Sequence, residues 1–193
     1  MGFLKKLKMI ITISGKPGSG KTTIAEKIAE KLNYKHISVG DIQGQLALER
    51  GITITEMMSI EKENPEIHKQ VDQKIKQIGE TQENFIIDGW IAYHFIPKSF
   101  KIFLGVEDKE GARRIFNTSR IDEPHKETLE RTEQDLKFRL NEANEGFKKA
   151  YNINFLDKNN YDYILNTTNM NEEQVCAKIL EKIKNEENKR NSN

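Results

Sequence analysis

The stretch Gly15-Lys16-Pro17-Gly18-Ser19-Gly20-Lys21-Thr22 constrains this chain more than any other. It fills G-x-x-x-x-G-K-[ST] at every fixed position, and the glycines of that pattern let successive backbone N–H groups converge on phosphate oxygens. The pattern works after a strand and at the start of a helix, where first-turn N–H groups lack partners and the helix field favours an anion. Both flanks are present. Ile10 to Ser14 is an apolar, β-branched run without alternation, as a strand buried on both faces requires. From Lys21 onward Ile24, Ala25, Ile28, Ala29 and Leu32 recur at helical spacing, and Asn33 closes the pattern. Residues Gly15 to Thr23 are therefore expected to wrap the phosphates of ATP. Lys21 would neutralise the terminal phosphates, and Thr22 would offer its hydroxyl to Mg2+.

Further short apolar runs at 35–39, 85–88, 101–106 and 161–165 alternate with helical stretches. Five strands alternating with helices predict an α/β fold around a five-stranded parallel sheet. Between the second and third strands lie about forty residues punctuated by Gly40, Gly51 and Pro65, predicting an insertion at about 40–80 made of several short helices. Residues 112–115 and 129–151 have helical spacing around the polar stretch NTSRIDEPHKE, which predicts a mobile lid at about 113–130. The tail from Asn185 to Asn193 is too polar to pack and is expected to fray. The chain is thus expected to form one domain over 1–184, with residues 1–8 either a short extension before the first strand or the product of a misplaced start.

Phe85-Ile86-Ile87-Asp88 ends an apolar strand in a carboxylate that could orient Mg2+ through water, although a turn or cap role is the plain alternative. Phosphoryl transfer spreads negative charge that guanidinium groups stabilise. Arg113, Arg114, Arg120, Arg131 and Arg139 lie on or beside the lid, where a solvated helix face is the competing explanation. None of His36, His68, His94 and His125 has metal-ligand spacing, so ordinary core or surface roles are expected for all four.

Composition closes off other classes. The 31 basic and 30 acidic side chains leave a net charge of +1, which argues against a nucleic-acid-binding surface and confines any anion site to a local cluster. The lone Cys176 suits a reduced, cytoplasmic setting and a packing role. No apolar stretch approaches the roughly 20 residues of a membrane span, and the start MGFLKKLKM lacks the long apolar core of a secretory signal.

The segments IITISGKPGSGKTT (10–23), SVGDI (38–42), LALERG (46–51), NPEIHKQVD (64–72), IIDG (86–89), KAYNIN (149–154) and YDYILNTTNMNEEQV (161–175) together resemble the nucleoside monophosphate kinases. Among these the archaeal-type cytidylate kinases are the most similar. The resemblance implies a core-plus-lid P-loop fold, a monophosphate-binding insertion, and Mg2+-dependent transfer of the ATP γ-phosphoryl group to CMP or dCMP by a monomer. It also implies phosphate-facing roles for Arg120 and Arg139, and an adenine-side loop at 166–168. Asp41, Asp72, Lys74, Trp90 and Arg114 fall in the expected acceptor neighbourhood. The chain departs from the pattern there: Gly44, Lys74 and Trp90 stand where the family carries basic, mostly arginine, side chains. Three functions stay open: a cytidylate-type kinase with a re-routed acceptor phosphate, a kinase of a different and uncharged acceptor stacked on Trp90, and a nucleotide-dependent binding module.

Overall fold

A computed structural model describes residues 9–52, 65–117 and 128–191. Ile10–Gly15 forms β1, and the apolar run pairs on both sides as its composition demands: with β3 (Phe85–Asp88) and with β4 (Phe100–Gly105). β2 (Lys35–Ser38) lies outside β3, and β5 (Tyr163–Asn166) outside β4. Among the described residues the sheet therefore has five parallel strands in the order β2-β3-β1-β4-β5. That order sets the carboxyl ends of β1, β2 and β3 side by side, the edge where such sheets bind ligands.

Alternation along the strands builds two cores. Ile11, Ile13, Ile86, Ile102 and Leu104 face α1 (Lys21–Leu32) and α7 (Glu172–Asn191), packing on Ile24, Ile28, Val175, Cys176 and Ile179. Burial pushes the Cys176 thiol pKa up, in keeping with a packing role. Ile10, Phe85 and Ile87 face the other way, onto Ile42 of α2 (Val39–Glu49), Val71 and Ile75 of α3 (Pro65–Thr81) and Ala92 of the short α4 (Ala92–Phe95). A third cluster holds Phe103, Ile91 and Phe155 against Leu140 of α6 (Leu129–Tyr151), which packs beside α5 (Asp108–Phe116).

The helix ends follow local chemistry. Asn33 adopts the left-handed conformation (φ 53°, ψ 48°) and its N–H returns to Glu30, closing α1 where the apolar pattern stops. Thr128 caps α6 by accepting from the Arg131 N–H. The described part of the insertion holds two helices, α2 and the 17-residue α3, and residues 53–64 between them lie outside the described residues. Pro65 starts α3, since a first-turn N–H has no intrahelical partner to lose. One expectation is corrected. The polar tail is helical to Asn191, with an Arg190–Glu186 hydrogen bond at i, i+4 spacing supporting the last turns. The lid expected at about 113–130 falls largely on 118–127, outside the described residues, and Arg120 lies there too.

Candidate active site

The phosphate loop is held open by its own backbone. Lys16 N–H donates to the Leu104 carbonyl at 3.1 Å, tying the loop to β4, and Ser19 N–H donates to the Lys16 carbonyl at 3.2 Å. Gly18 (φ 75°) and Gly20 (φ 86°) take left-handed conformations that L side chains rarely adopt. Gly18 has a second reason to be glycine: a Cβ there would stand 2.3 Å from the Gly111 carbonyl oxygen, so loop and α5 touch backbone to backbone. The Lys21 ammonium folds back onto the Lys16 carbonyl at 3.0 Å, and the buried Ser19 hydroxyl has no hydrogen-bond partner among the described residues. A loop so ringed with donors fits a polyphosphate. Thr23 sits half-buried in the first turn of α1, and Lys16 pairs with Asp108 at 2.8 Å beside Pro17.

Beneath the loop, Asp88 at the end of β3 is only 5% exposed. Its Oδ2 accepts from the Thr22 hydroxyl at 3.0 Å, and its Oδ1 lies 2.6 Å from His36 Nε2. An ionised carboxylate only accepts, so the histidine nitrogen carries the hydrogen. That bond raises the His36 pKa above its ordinary value. The Thr22 hydroxyl and Asp88 carboxylate are adjacent hard oxygen donors, a set that fits Mg2+. Ser14 locks the same corner by donating to the Gly89 carbonyl at 3.1 Å, and Gly89 N–H returns to Ile13.

The basic candidates separate. The Arg114 guanidinium packs on the donor side: it donates to the Thr167 carbonyl at 2.7 Å, the Thr168 carbonyl at 3.1 Å and the Thr167 hydroxyl at 3.1 Å. The buried Thr167 hydroxyl also reaches the Ser19 carbonyl at 3.3 Å, so Arg114 buttresses the back of the phosphate loop through the 166–168 loop. This differs from the acceptor-side place expected for it, because α5 docks its amino end on the phosphate loop. Glu110 holds Arg113 and Arg114, and the two guanidinium groups, Arg113 foremost, lower its pKa to about 2. Arg131 pairs with Asp135 on the exposed face of α6.

Arg139 is brought to Trp90 instead, its guanidinium carbon 5.8 Å from the ring centroid. Trp90 in turn lies flat on Phe155, with centroids 5.6 Å apart and planes 10° apart, and meets Phe147 edge-on at 6.0 Å. Each such pair is worth about 0.5 to 1.5 kcal/mol beyond buried area, so the half-buried indole is an integral part of the third cluster. On the insertion, Asp72 accepts from the Tyr151 hydroxyl at 2.6 Å, linking α3 to α6. Asp41 is exposed in the first turn of α2, Lys74 is exposed on α3, and Gly44 lies within α2.

Sequence reasoning missed the role of His36, the side-chain bonding of Thr167 within the expected 166–168 loop, and the Gly18–Gly111 approach. His36 was weighed for metal-ligand spacing only. A glycine inside the helical KEGARR stretch was a visible signal for the third, since mid-helix glycine costs about 1 kcal/mol and usually has a packing reason.

Comparison with known proteins agrees with this geometry. The model of a family described as AAA domain matches residues 14–135. The cytidylate kinase of Archaeoglobus fulgidus is 33% identical over 176 residues, covering 91% of this chain and 94% of that one. An S-adenosylmethionine-dependent nucleotide dehydratase from Lacinutrix mariniflava is 32% identical over 177 residues, and this chain spans only 36% of its length. The crystal structure of shikimate kinase from Bacteroides thetaiotaomicron superposes with a TM-score of 0.66 at 19% identity, over 92% of this chain and 99% of that one, which speaks for the fold alone. No helix among the described residues is long and apolar enough to cross a membrane. With a phosphate loop between β1 and α1, a carboxylate under its threonine, and a cytidylate kinase relative that matches almost end to end, the chain belongs to the nucleoside monophosphate kinase family of P-loop kinases and is an ATP-dependent phosphotransferase.

Proposed function

We propose that the chain transfers the γ-phosphoryl group of ATP to CMP or dCMP. The observation that carries this reading is the nearly full-length likeness to a relative named cytidylate kinase, on a chain whose loop, Thr22 and Asp88 are assembled for the donor. Gly15 to Thr23 cradle the triphosphate, and Lys21 exchanges the Lys16 carbonyl for phosphate oxygens. Thr22 and Asp88 are the residues that would hold Mg2+, which, when bound, draws charge from the phosphates. Arg139 and Arg120 supply cationic charge to the transferring group from α6 and the lid. Lid closure over 113–130 excludes water, which would otherwise compete as acceptor. The kinase unit spans 1–184 with the acceptor arm at about 40–80, works as a monomer in the cytoplasm, and takes its acceptor among Asp41, Asp72, Lys74 and Trp90.

One observation favours a second reading. Gly44 and Trp90 bring no guanidinium to the acceptor side, and Lys74 brings a point charge without a fork. An acceptor lacking a phosphate would suit such a site. Coupled ADP-release assays over all common ribo- and deoxyribonucleoside monophosphates, nucleosides, sugars and hydroxy acids decide between them. Preference for CMP or dCMP is the expected result. Turnover confined to unphosphorylated acceptors would establish the second reading and end the first.

A further inference from the structure

The donor site contains a half-buried polar group to which the proposed reaction assigns no part, the imidazole of His36. It stands two positions behind Ser38 on β2, and Ser38 is level with Asp88 of the neighbouring β3, so the side chain leans along the strand to reach the carboxylate. The contact is 2.6 Å long and both side chains are largely shielded, with 17% of His36 and 7% of Asp88 exposed. Each oxygen of Asp88 thereby accepts one hydrogen bond, Oδ1 from His36 and Oδ2 from Thr22, and keeps a lone pair for a cation.

The directions of these two bonds matter more than their number. A carboxylate donates nothing, so the Thr22 hydroxyl must spend its one hydrogen on Asp88, and its two lone pairs then point away from the carboxylate. A threonine oxygen presented in that way is set up to accept a cation. Without His36, Oδ1 would lose the donor that fixes the plane of the carboxylate. The group could then turn about its last torsion, and the Thr22 hydrogen would no longer be directed.

We infer that His36 is a positioning residue for the magnesium side of the site: it orients Asp88, and through Asp88 the Thr22 hydroxyl, without touching nucleotide or metal itself. This rests on the donor half of the proposed reaction and not on the identity of the acceptor. It also explains why a histidine without metal-ligand spacing lies beside the loop: its partner is the carboxylate, not the ion.

The test is a Mg2+ titration of fluorescent ATP-analogue binding to the full chain without acceptor, alongside steady-state kinetics, for wild type, His36→Gln and His36→Phe. Partners behind metal ligands typically matter 10- to 100-fold, so His36→Phe should raise the Mg2+ midpoint about 10-fold and lower kcat by a similar factor. The Gln amide places an N–H where Nε2 stands, and this variant should stay within about 3-fold of wild type on both measures. Binding of the analogue without Mg2+ should be unaltered in all three. A midpoint unmoved by Phe, or Gln and Phe shifting it equally, overturns the inference. Should the Phe variant fail to fold, His36→Asn replaces it: its amide is too short to reach Asp88, so it should shift the midpoint where Gln does not, and equal behaviour of the two is again fatal. Absence of turnover with every acceptor would defeat the proposed transfer reaction while the binding titration still reads out His36.

Discussion

On the donor side of the cleft, polar atoms are tied to one another across distant segments: Lys16 to Leu104, Thr22 to Asp88, Asp88 to His36, and Arg114 to the loop at 166–168. On the proposed acceptor side, Asp41 and Lys74 are exposed on α2 and α3, and Trp90 turns its ring into a cluster of other aromatics. The contrast teaches where this chain is free to differ from its relatives. A loop that presents backbone N–H groups to a triphosphate tolerates little change, because each donor's direction depends on glycine conformations and on neighbours brought from three strands. An acceptor site built from side chains on helix surfaces can change one residue at a time.

Removing the central cation of the donor side should have the largest effect. Lys21→Ala is expected to lower kcat by about 1000-fold or more, since the ammonium is aimed into a preorganised loop. Single-turnover kinetics check it, and activity within tenfold of wild type would break the contrast at its strongest point. Arg139→Ala should be next, lowering kcat about 10- to 100-fold while ATP affinity moves little, the signature of an interaction made only in the transition state. If ATP affinity falls as much as the rate, Arg139 acts on the ground state and its place over Trp90 has another purpose.

Trp90→Arg tests the acceptor side directly, and its two readouts should move in opposite directions. Loss of the Phe155 stack and Phe147 edge contact should cost about 2 to 3 kcal/mol in urea denaturation, below the value for a fully buried tryptophan because the ring is half-buried. One new charge-assisted hydrogen bond to an acceptor phosphate should lower the CMP KM about tenfold. An unaltered KM would mean that position 90 does not define the acceptor.

Gly111→Ala probes the backbone contact under the loop. The added Cβ would lie 2.9 Å from the Pro17 carbonyl oxygen, so destabilisation of about 1 to 3 kcal/mol is expected, with weakened ATP-analogue binding and an unaltered acceptor preference. The smallest effect concerns Glu110. Its pKa is lowered to about 2 by Arg113 and Arg114, so the pairing contributes stability above the ordinary carboxylate value of 4.5 and loses it as pH falls toward 2. Solvent reaches the pair through the exposed Arg113 and screens it, and Glu110→Gln should lower Tm by only about 1 to 3 °C at pH 7. The gap between the two melting curves should close by about pH 2, and a gap that persists there would show that the side chain acts by packing instead.

Much of this architecture was legible residue by residue. The five strands, α1 with its Asn33 cap and the bounds of α6 follow from apolar periodicity and turn chemistry, which act over a few residues. The misread segment was one where local composition misled: the polar tail looked unable to pack but extends α7, whose earlier turns are anchored in the first core.

By itself, the sequence determined the phosphate loop, the strand and helix on either side of it and the alternating order of elements, because each of those is a local property of spacing and backbone freedom. Only the tertiary structure decided that β3 lies between β1 and β2, and with it that Asp88 meets Thr22 and His36. The docking of α5 on the phosphate loop likewise decided that Arg114 braces the donor side, and the stacking on Phe155 decided that Trp90 faces inward with Arg139 above it. Strand order and helix docking arise from pairings between segments tens of residues apart, and no local spacing encodes which pairing wins.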